Sequence, residues 1–249
     1  MGDERVPFDL LSVDVGSEAS GMDTPGAREH AFTVRPMSRA VALRERADEL
    51  FTPGASPAVC VVGGGAAGVE VALALRQRAL TDARVSVLAG RRVAAVAAED
   101  VTLDDGRRVP ANLTVWLTGA APPLVVRESS LPKDERGYFL VDATLRAVDG
   151  APIFGAGDCV ALEEHPWVPK AGVYAVRQAP ILDANLRATL TETSLRPFVP
   201  QRTWLSLMNT ADGRAILRWH GFVAHSRFAW RLKDSIDRGF MRRYQIIVP

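Results

Sequence analysis

Cysteine and histidine are scarce in this sequence, and their positions exclude the usual dithiol and metal sites. Cys60 and Cys159 lie far apart and form no Cys-x-x-Cys pair, so neither a dithiol redox centre nor a zinc site is indicated. No Ser/His/Asp arrangement is visible. The histidines are scattered, and single satisfied or exposed imidazoles are the favoured interpretation of His30, His165, His220 and His225. We therefore expect no metal centre.

The sequence also lacks a charge excess and a long apolar run. A formal net charge of +1 over 249 residues gives no indication of a nucleic-acid partner. No run approaches the ~18 apolar residues of a membrane span. The start, Met1 to Arg5, lacks the basic-then-apolar pattern of a secretion signal. The prediction is a cytoplasmic location, with peripheral contact with the inner face of a membrane as the alternative.

A glycine-rich run occupies a position that suits a nucleotide-binding loop. Gly63-Gly64-Gly65-Ala66-Ala67-Gly68 has the spacing G-x-G-x-x-G. It follows the apolar run Ala58 to Val62, which is typical of a parallel strand covered on both faces. It precedes Val69 to Arg78, which is rich in Ala and Leu and contains no proline, as expected of a helix. A strand before the motif and a helix after it are what the fingerprint requires.

Each glycine of this motif has a predicted task. Gly63 permits the tight turn, Gly65 lets the backbone approach a pyrophosphate, and Gly68 lets the helix pack closely on the strand. The helix N-terminus would present N–H groups and a partial positive charge to the phosphates. The motif therefore predicts dinucleotide binding, and a glycine turn without a ligand is the alternative.

The charged residues near the motif leave the choice of nucleotide open. Glu70 is predicted in the first turn of the helix, where an acidic side chain also opposes the helix dipole. A second strand is predicted at Arg84 to Leu88. NAD sites usually place an acidic residue after that strand, whereas Arg91 and Arg92 follow here. These arginines would favour the 2'-phosphate of NADP, and a solvated edge is the alternative.

The rest of the chain alternates strand and helix patterns, which predicts an α/β fold. Beyond the elements already described, further strands are expected at 8–15, 93–97, 101–103, 107–109, 113–117, 138–141 and 153–154. Further helices are expected at 38–50, 172–190 and 227–244.

Three of these features follow one another in an order that resembles the pyridine nucleotide-disulfide oxidoreductase class. They are the glycine motif, a strand ending at Thr118-Gly119-Ala120, and a strand followed by Gly155-Ala156-Gly157-Asp158. Within this class the sequence resembles the type II NADH dehydrogenases. It is more similar still to the oxidoreductase domain fused to selenide, water dikinase. This likeness is carried by Phe8 to Ser17, Pro169 to Arg177 and Trp230 to Asp234.

The resemblance implies FAD and NAD(P)H as cofactors, and it implies residue roles. Asp158 would bind the flavin ribityl chain, the backbone of Ala171-Gly172-Val173 would face the flavin ring, and Glu70 would lie near the nicotinamide. Lys170 is a further candidate for stabilising negative charge on the reduced flavin, with a solvated lysine as the alternative. The expected cofactor-binding residues are Gly63, Gly65, Gly68, Glu70, Thr118, Gly119, Gly157, Asp158, Lys170, Ala171, Gly172 and Val173.

Three departures from the class qualify this expectation. Relatives begin with a separate flavin fingerprint upstream of the strand at 8–15, and this chain starts after it. Only Ala89-Gly90 separates the second strand from Arg91, where relatives have a further helix and strand. Gly172 and Val176 stand where type II enzymes place glutamines near quinone. These departures predict a truncated flavin site, a nucleotide-binding sheet one unit short, and doubt about quinone as the acceptor.

The expected architecture is a Rossmann-like nucleotide-binding domain inserted in a partial FAD-binding domain, followed by a C-terminal cap. The predicted boundaries are a partial FAD-binding segment at 1–54, the NAD(P)-binding domain at 55–120, a second FAD-binding segment at 121–195, and the cap at 196–249. The basic helix at 227–244 repeats Phe228, Leu232, Ile236 and Phe240 at every fourth position. It would either pack on the flavin domain or contact anionic lipid.

The expected activity is hydride transfer from NAD(P)H to FAD and then to a small-molecule electron acceptor, by a truncated copy of the enzyme. The alternatives are a non-catalytic fragment or interaction protein, and an accessory oxidoreductase of selenium metabolism. An incomplete flavin domain would expose apolar sheet surface, which favours pairing with a second copy of the chain.

Overall fold

The chain forms an α/β structure with several small sheets. The computed structural model describes residues 5–79 and 85–243. The strands in these ranges are β1 (Leu11–Val13), β2 (Glu18–Ala19), β3 (Ala31–Phe32), β4 (Val59–Val62), β5 (Val93–Val96), β6 (Asp100–Leu103), β7 (Arg108–Pro110), β8 (Leu113–Trp116), β9 (Ala120–Ala121), β10 (Phe139–Val141), β11 (Ile153–Gly155), β12 (Val160–Leu162), β13 (Ser206–Asn209), β14 (Ala215–Trp219) and β15 (Phe222–Ser226). The helices are α1 (Ala27–His30), α2 (Met37–Leu50), α3 (Ala66–Arg78), α4 (Leu124–Arg127), α5 (Gly172–Leu190) and α6 (Arg227–Arg243).

The elements fall into two compact units, each made of two stretches of chain. The first unit comprises residues 1–20 and 120–202, and the second comprises residues 21–119 and 203–249. The structure thus separates 1–20 from 21–54, which the sequence prediction grouped in one segment.

Parallel strand pairs and the long helix α5 build the first unit. β1 pairs in parallel with β11, and β10 with β12, while β2 and β9 form a short antiparallel ladder. The core includes Phe139, Leu145 and Phe154, all fully buried. α5 adds a stripe of buried residues at spacings of three and four, as a helix with one face in the core must. The members of this stripe are Tyr174, Gln178, Leu182, Asn185 and Ala188. The helix matches the prediction at 172–190.

A three-stranded parallel sheet lies at the centre of the second unit. Its order is β3-β8-β4, and β8 is buried along its whole length, as a central strand with both faces covered should be. α2 and α3 supply Leu43, Ala47, Val71 and Leu75 to the adjoining core. The antiparallel meander β5-β6-β7 confirms the prediction for residues 93–109. A second antiparallel sheet, β13-β14-β15, carries α6.

The prediction of a second parallel strand at 84–88 is wrong where the structure describes it. Residues 85–88 form no strand, and Arg84 lies outside the described residues. Val87 is 82% exposed, and Val85 and Leu88 are also exposed. An apolar run becomes a buried strand only where a neighbour takes its backbone hydrogen bonds and other elements cover its faces. Here β4 remains at the edge of its sheet.

Candidate functional site

The glycine motif follows β4 and leads directly into α3, in the second unit. Gly63 has φ +118°, and a Cβ at this position would lie 2.2 Å from the carbonyl oxygen of Leu117. A Cβ on Gly68 would lie 1.9 Å from the carbonyl oxygen of Gly63. Both positions therefore require glycine, because backbone atoms occupy the space that a side chain would need.

Gly65 differs from these two glycines because its space is open. A Cβ on Gly65 would meet no atom within 4 Å, and Gly65 is the N-cap residue of α3 without a side-chain cap. Packing within the protein thus gives no reason for glycine at this position. The open space in front of the helix N-terminus, with its N–H groups and partial positive charge, fits a phosphate group.

A second loop lies beside the glycine motif. β4 and β8 are adjacent and parallel, so the loops at their carboxyl ends emerge at the same edge of the sheet, where α/β proteins bind ligands. Thr118 and Gly119 follow β8, and Gly119 has φ +121° with open space at its Cβ position. The structure therefore brings Gly63 and the start of the 117–119 loop into contact.

Glu70 lies one position beyond the first turn of α3, which corrects the sequence prediction. The helix begins at Ala66, so its first turn contains no acidic residue. Glu70 is partly buried, and its Oε1 accepts a hydrogen bond of 2.7 Å from the backbone N–H of Asn209. Sequence reasoning missed this bond because Asn209 is remote in the chain. The carboxylate thus ties α3 to the end of β13.

The two arginines predicted near the nucleotide lie on an exposed edge. Arg91 forms an ion pair of 3.4 Å with Asp105, and Arg92 accepts a hydrogen bond from the Asp104 N–H at its backbone carbonyl. A backbone hydrogen bond from Arg107, together with the charge of Arg91, lowers the pKa of Asp105. Asp105 thus already offers Arg91 a counter-charge.

An open groove of about 630 Å³ runs along α5 in the first unit. Its walls come from the loop after β1, the turn after β11 and one side of α5. The lining residues include Ser12, Asp14, Gly157, Asp158, Gly172 and Asp183. β1 and β11 are parallel neighbours, so Asp14 and Asp158 follow strands that end at the same edge. The groove lining contains three carboxylates and no lysine or arginine.

The turn that carries Asp158 is held by side chains from remote parts of the chain. Gly157 has φ +79°, and its N–H donates a 2.7 Å hydrogen bond to Oε1 of the buried Gln178. Ser17 donates its hydroxyl to Asp158 at 3.2 Å. Sequence reasoning missed Gln178, although its place four residues after Tyr174 marks it as core-facing, where an amide needs a partner.

Lys170 is half-buried and lies behind the groove rather than in its lining. Its Nζ donates a hydrogen bond to the carbonyl of Val160 and lies 4.0 Å from the ring centroid of Tyr138. Burial, reinforced by the charge of Arg136, lowers the pKa of the Lys170 ammonium from 10.5 to about 8. The alternative of a fully solvated lysine is therefore wrong.

The start of α5 presents its backbone to the groove. Ala171 is the N-cap residue in an extended conformation, and the helix begins at Gly172. Gly172 lines the groove, and a Cβ there would meet no atom within 4 Å. The side chain of Val173 packs instead against the core of the first unit. A flat ring could therefore approach the helix start at Gly172 without steric hindrance from this residue.

Sequence comparison adds independent information on the class of protein. Residues 76–179 match the family described as "Pyridine nucleotide-disulphide oxidoreductase". The chain is 26% identical over 222 residues to "Probable NADH dehydrogenase" of Dictyostelium discoideum, covering 68% of this chain and 49% of that protein. It is 26% identical over 249 residues to "Alternative NAD(P)H-ubiquinone oxidoreductase C1, chloroplastic/mitochondrial" of Arabidopsis thaliana, covering 78% of this chain and 48% of the relative. The chain thus spans about half the length of these relatives.

Structure comparison points to the same class. The NDH2 structure from Plasmodium falciparum in complex with NADH superposes with a TM-score of 0.74 at 15% sequence identity, covering 93% of this chain and 74% of that one. The chain therefore has the fold of the FAD- and NAD-binding oxidoreductases. These comparisons support the pyridine nucleotide-disulphide oxidoreductase class, and the chain is similar to the type II NADH dehydrogenases.

Proposed function

We propose that this chain oxidises NAD(P)H with FAD as the intermediate electron carrier and a small molecule as the final acceptor. The observation that carries the proposal is the contrast within the glycine motif. Gly63 and Gly68 are glycine because the fold allows nothing larger, whereas Gly65 is glycine beside open space at a helix N-terminus. A dinucleotide pyrophosphate explains that open position.

The nucleotide would be held by the second unit. The N–H groups at the start of α3 and the open backbone at Gly65 would receive the pyrophosphate. The 117–119 loop lies against Gly63, and Gly119 offers a second open stretch of backbone. Glu70, anchored by the Asn209 N–H, would lie toward the nicotinamide end. Arg91 would favour the 2'-phosphate of NADPH, but its charge is balanced by Asp105. Both NADH and NADPH are therefore tested.

The flavin would be held by the first unit, in the groove along α5. When bound, FAD would supply the chemistry of accepting two electrons from a nicotinamide and passing them on. Asp158 would accept hydrogen bonds from ribityl hydroxyls, and its turn is fixed by Gln178 and Ser17. The backbone at Ala171 and Gly172 would face the ring, because Gly172 opens onto the groove. Gly157 completes this site as the turn residue that brings Asp158 into the lining.

The acceptor is proposed at the level of a small molecule. The name of the Arabidopsis relative contains ubiquinone, which supports a quinone as one test substrate. In this chain Gly172 lines the groove and Val176 is 45% exposed on the same helix. Neither side chain can donate a hydrogen bond to a quinone carbonyl.

The decisive experiment is NAD(P)H oxidation with FAD added. Purified protein would be mixed with FAD, and oxidation of NADH and of NADPH would be followed at 340 nm with a short-chain quinone or a dye as acceptor. We expect FAD-dependent oxidation that is lost in Gly65→Val. Oxidation that proceeds equally in Gly65→Val would contradict the nucleotide site.

Peripheral membrane contact through α6 is a separate proposal. No helix of residues 5–79 or 85–243 is long and apolar enough to cross a membrane. α6 carries six basic and two acidic residues over Arg227–Arg243. It packs on β13–β15 with Ala229 buried. Its exposed apolar side chains, together with its arginines, define the α6 surface: Phe228, Ile236, Phe240, Met241, Arg227, Arg231, Arg238, Arg242 and Arg243. Such a combination suits an anionic lipid surface.

A further inference from the structure

Lys170 lies next to the groove of the first unit but does not line it. It lines a small cavity of about 10 Å³ together with Gly157, Asp158 and Gln178. Gly157 and Asp158 also line the groove. The turn that carries Asp158 therefore borders both the cavity that Lys170 lines and the groove.

Groups of both charges act on Lys170. Arg136 and Asp134 face it from the loop before β10, and Asp158 and Cys159 face it from the turn after β11, while the Tyr138 ring lies at 4.0 Å. Burial and Arg136 lower the pKa of the ammonium, whereas Asp134 and Asp158 act in the opposite direction. A further negative charge placed nearby would favour the ammonium form.

We propose that Lys170 is a positioning residue that, at mildly alkaline pH, takes up a proton from solvent when negative charge enters the groove beside Asp158, and releases it when that charge leaves. The step is a simple protonation, in which the neutral amine and one solvent proton give the ammonium. The new negative charge stabilises the ammonium across the Gly157–Asp158 turn. The inference rests on the proposed function in one respect, namely that a bound flavin, once reduced, brings the charge.

The effect of charge on Lys170 can be measured without any cofactor. The chain contains three lysines, Lys133, Lys170 and Lys233, so the other two serve as internal references. Trace acetylation with acetic anhydride, followed by mass spectrometry of the peptides, gives the pH midpoint of each amine. We expect a midpoint of about 8 for Lys170 in the wild type.

Charge variants then test the coupling. Asp158→Asn should lower the Lys170 midpoint by on the order of half a pH unit, and Arg136→Gln should raise it by a similar amount. Asp183→Asn is the matched control, since Asp183 lines the groove but is not among the charges that act on Lys170. A Lys170 midpoint equal to that of Lys133, or unchanged in both Asp158→Asn and Arg136→Gln, would overturn the proposal.

The same labelling with FAD reduced by dithionite tests the consequence, because the oxidised ring is neutral and the reduced ring carries a negative charge. Reduced FAD should raise the Lys170 midpoint by up to about one pH unit and leave those of Lys133 and Lys233 unchanged. The midpoint is the readout because steric shielding slows acetylation at every pH without moving it. A bound flavin, seen in the visible spectrum before reduction, with an unmoved or lowered midpoint after reduction would refute the proposal. If no flavin binds, the proposed function fails, and the charge variants alone decide the inference.

Discussion

The three glycines of the nucleotide motif are glycine for two different physical reasons. At Gly63 and Gly68 the neighbouring backbone fills the space that a Cβ would occupy. At Gly65 that space is open. Substitution therefore separates a requirement of the fold from a requirement of the ligand.

Gly65→Val should abolish NADH and NADPH binding while leaving the unfolding temperature close to that of the wild type. The valine would stand where the pyrophosphate approaches, and its Cβ would meet no protein atom within 4 Å. Isothermal titration calorimetry measures the binding. Gly64→Ala is the matched control, because Gly64 is also open but occupies a variable position of the motif.

Gly68→Ala should give the opposite pattern, with the free energy of unfolding reduced by about 1–3 kcal/mol through overpacking against the Gly63 carbonyl. Chemical denaturation measures this free energy of unfolding.

For Gly65→Val, nucleotide binding equal to that of the wild type would remove the basis for the proposed nucleotide site.

Lys170 should make stability depend on pH in the alkaline range. Its pKa is about 8 in the folded protein, against an ordinary 10.5, so between these values the unfolded chain binds more protons than the folded one. The free energy of unfolding should therefore rise with pH across this window, as the cost of burying the ammonium disappears. Denaturation of the wild type and Lys170→Met from pH 7.5 to 9.5 isolates the effect. Parallel curves for the two proteins would count against it.

At the scale of elements, periodic patterns predicted the helices α2, α3, α5 and α6 and eight of the strands, whereas β2, β3, β9, β12 and the sheet β13-β14-β15 were not predicted. α5 matches its prediction, and the 93–109 meander forms as expected, since a helix stripe and a short turn are local signals. The predicted strand does not form over residues 85–88, because a local pattern does not show whether another strand takes up its backbone hydrogen bonds. The Gly157–Gln178 and Glu70–Asn209 bonds were not foreseeable for the same reason: they join residues whose proximity only the fold creates.

α6 forms as a helix over the described part of its predicted range, and Tyr244 lies outside the described residues. The predicted apolar repeat is not simply a packing face. Leu232 is half-buried, but Phe228 is 71% exposed and Ile236 is 48% exposed. The burial pattern thus favours contact of this face with something beyond β13–β15.

Phe228→Ser combined with Ile236→Ser should weaken binding to phosphatidylserine-containing vesicles by about tenfold or more, because two exposed apolar side chains no longer enter the interface. Co-sedimentation at low and moderate salt measures the binding, which should fall with salt in the wild type. Val199→Ser, at a site 77% exposed and outside the α6 surface, is the control. Absence of wild-type binding at low salt would dismiss lipid as the partner.

At the scale of the whole molecule, the class and the α/β fold could be inferred from three motifs in order along the chain. The fold is confirmed, and the match over residues 76–179 supports the class. The greater similarity to the domain fused to selenide, water dikinase stays a prediction, as do the residue roles. A sequence motif identifies a kind of loop. It does not reveal the charge lining of a groove assembled from β1, β11 and α5.

That lining predicts weak binding of FAD by this chain. The groove presents Asp14, Asp158 and Asp183 and no basic side chain, and the Gly157 N–H is already used by Gln178. Carboxylates suit ribityl hydroxyls but repel a pyrophosphate. We expect a dissociation constant for FAD in roughly the micromolar range or weaker. Flavin fluorescence titration measures it. If the protein purifies with stoichiometric flavin and oxidises NAD(P)H rapidly, the prediction of weak FAD binding is wrong.

The hydrogen bond from Gly157 to Gln178 also bears on how the chain tolerates changes in length. This bond joins the two ends of the segment 157–178. Glu163 and Glu164, in the middle of this segment, are exposed at the surface. Insertions in this exposed stretch should leave the turn after β11 in place, as insertions in surface loops commonly do. One residue added inside α5 before Gln178 would instead rotate the amide by about 100° around the helix axis, away from Gly157. Insertions in the loop that contains Glu163 and Glu164 should therefore preserve the Gly157–Gln178 hydrogen bond, whereas an insertion in the first two turns of α5 should break it.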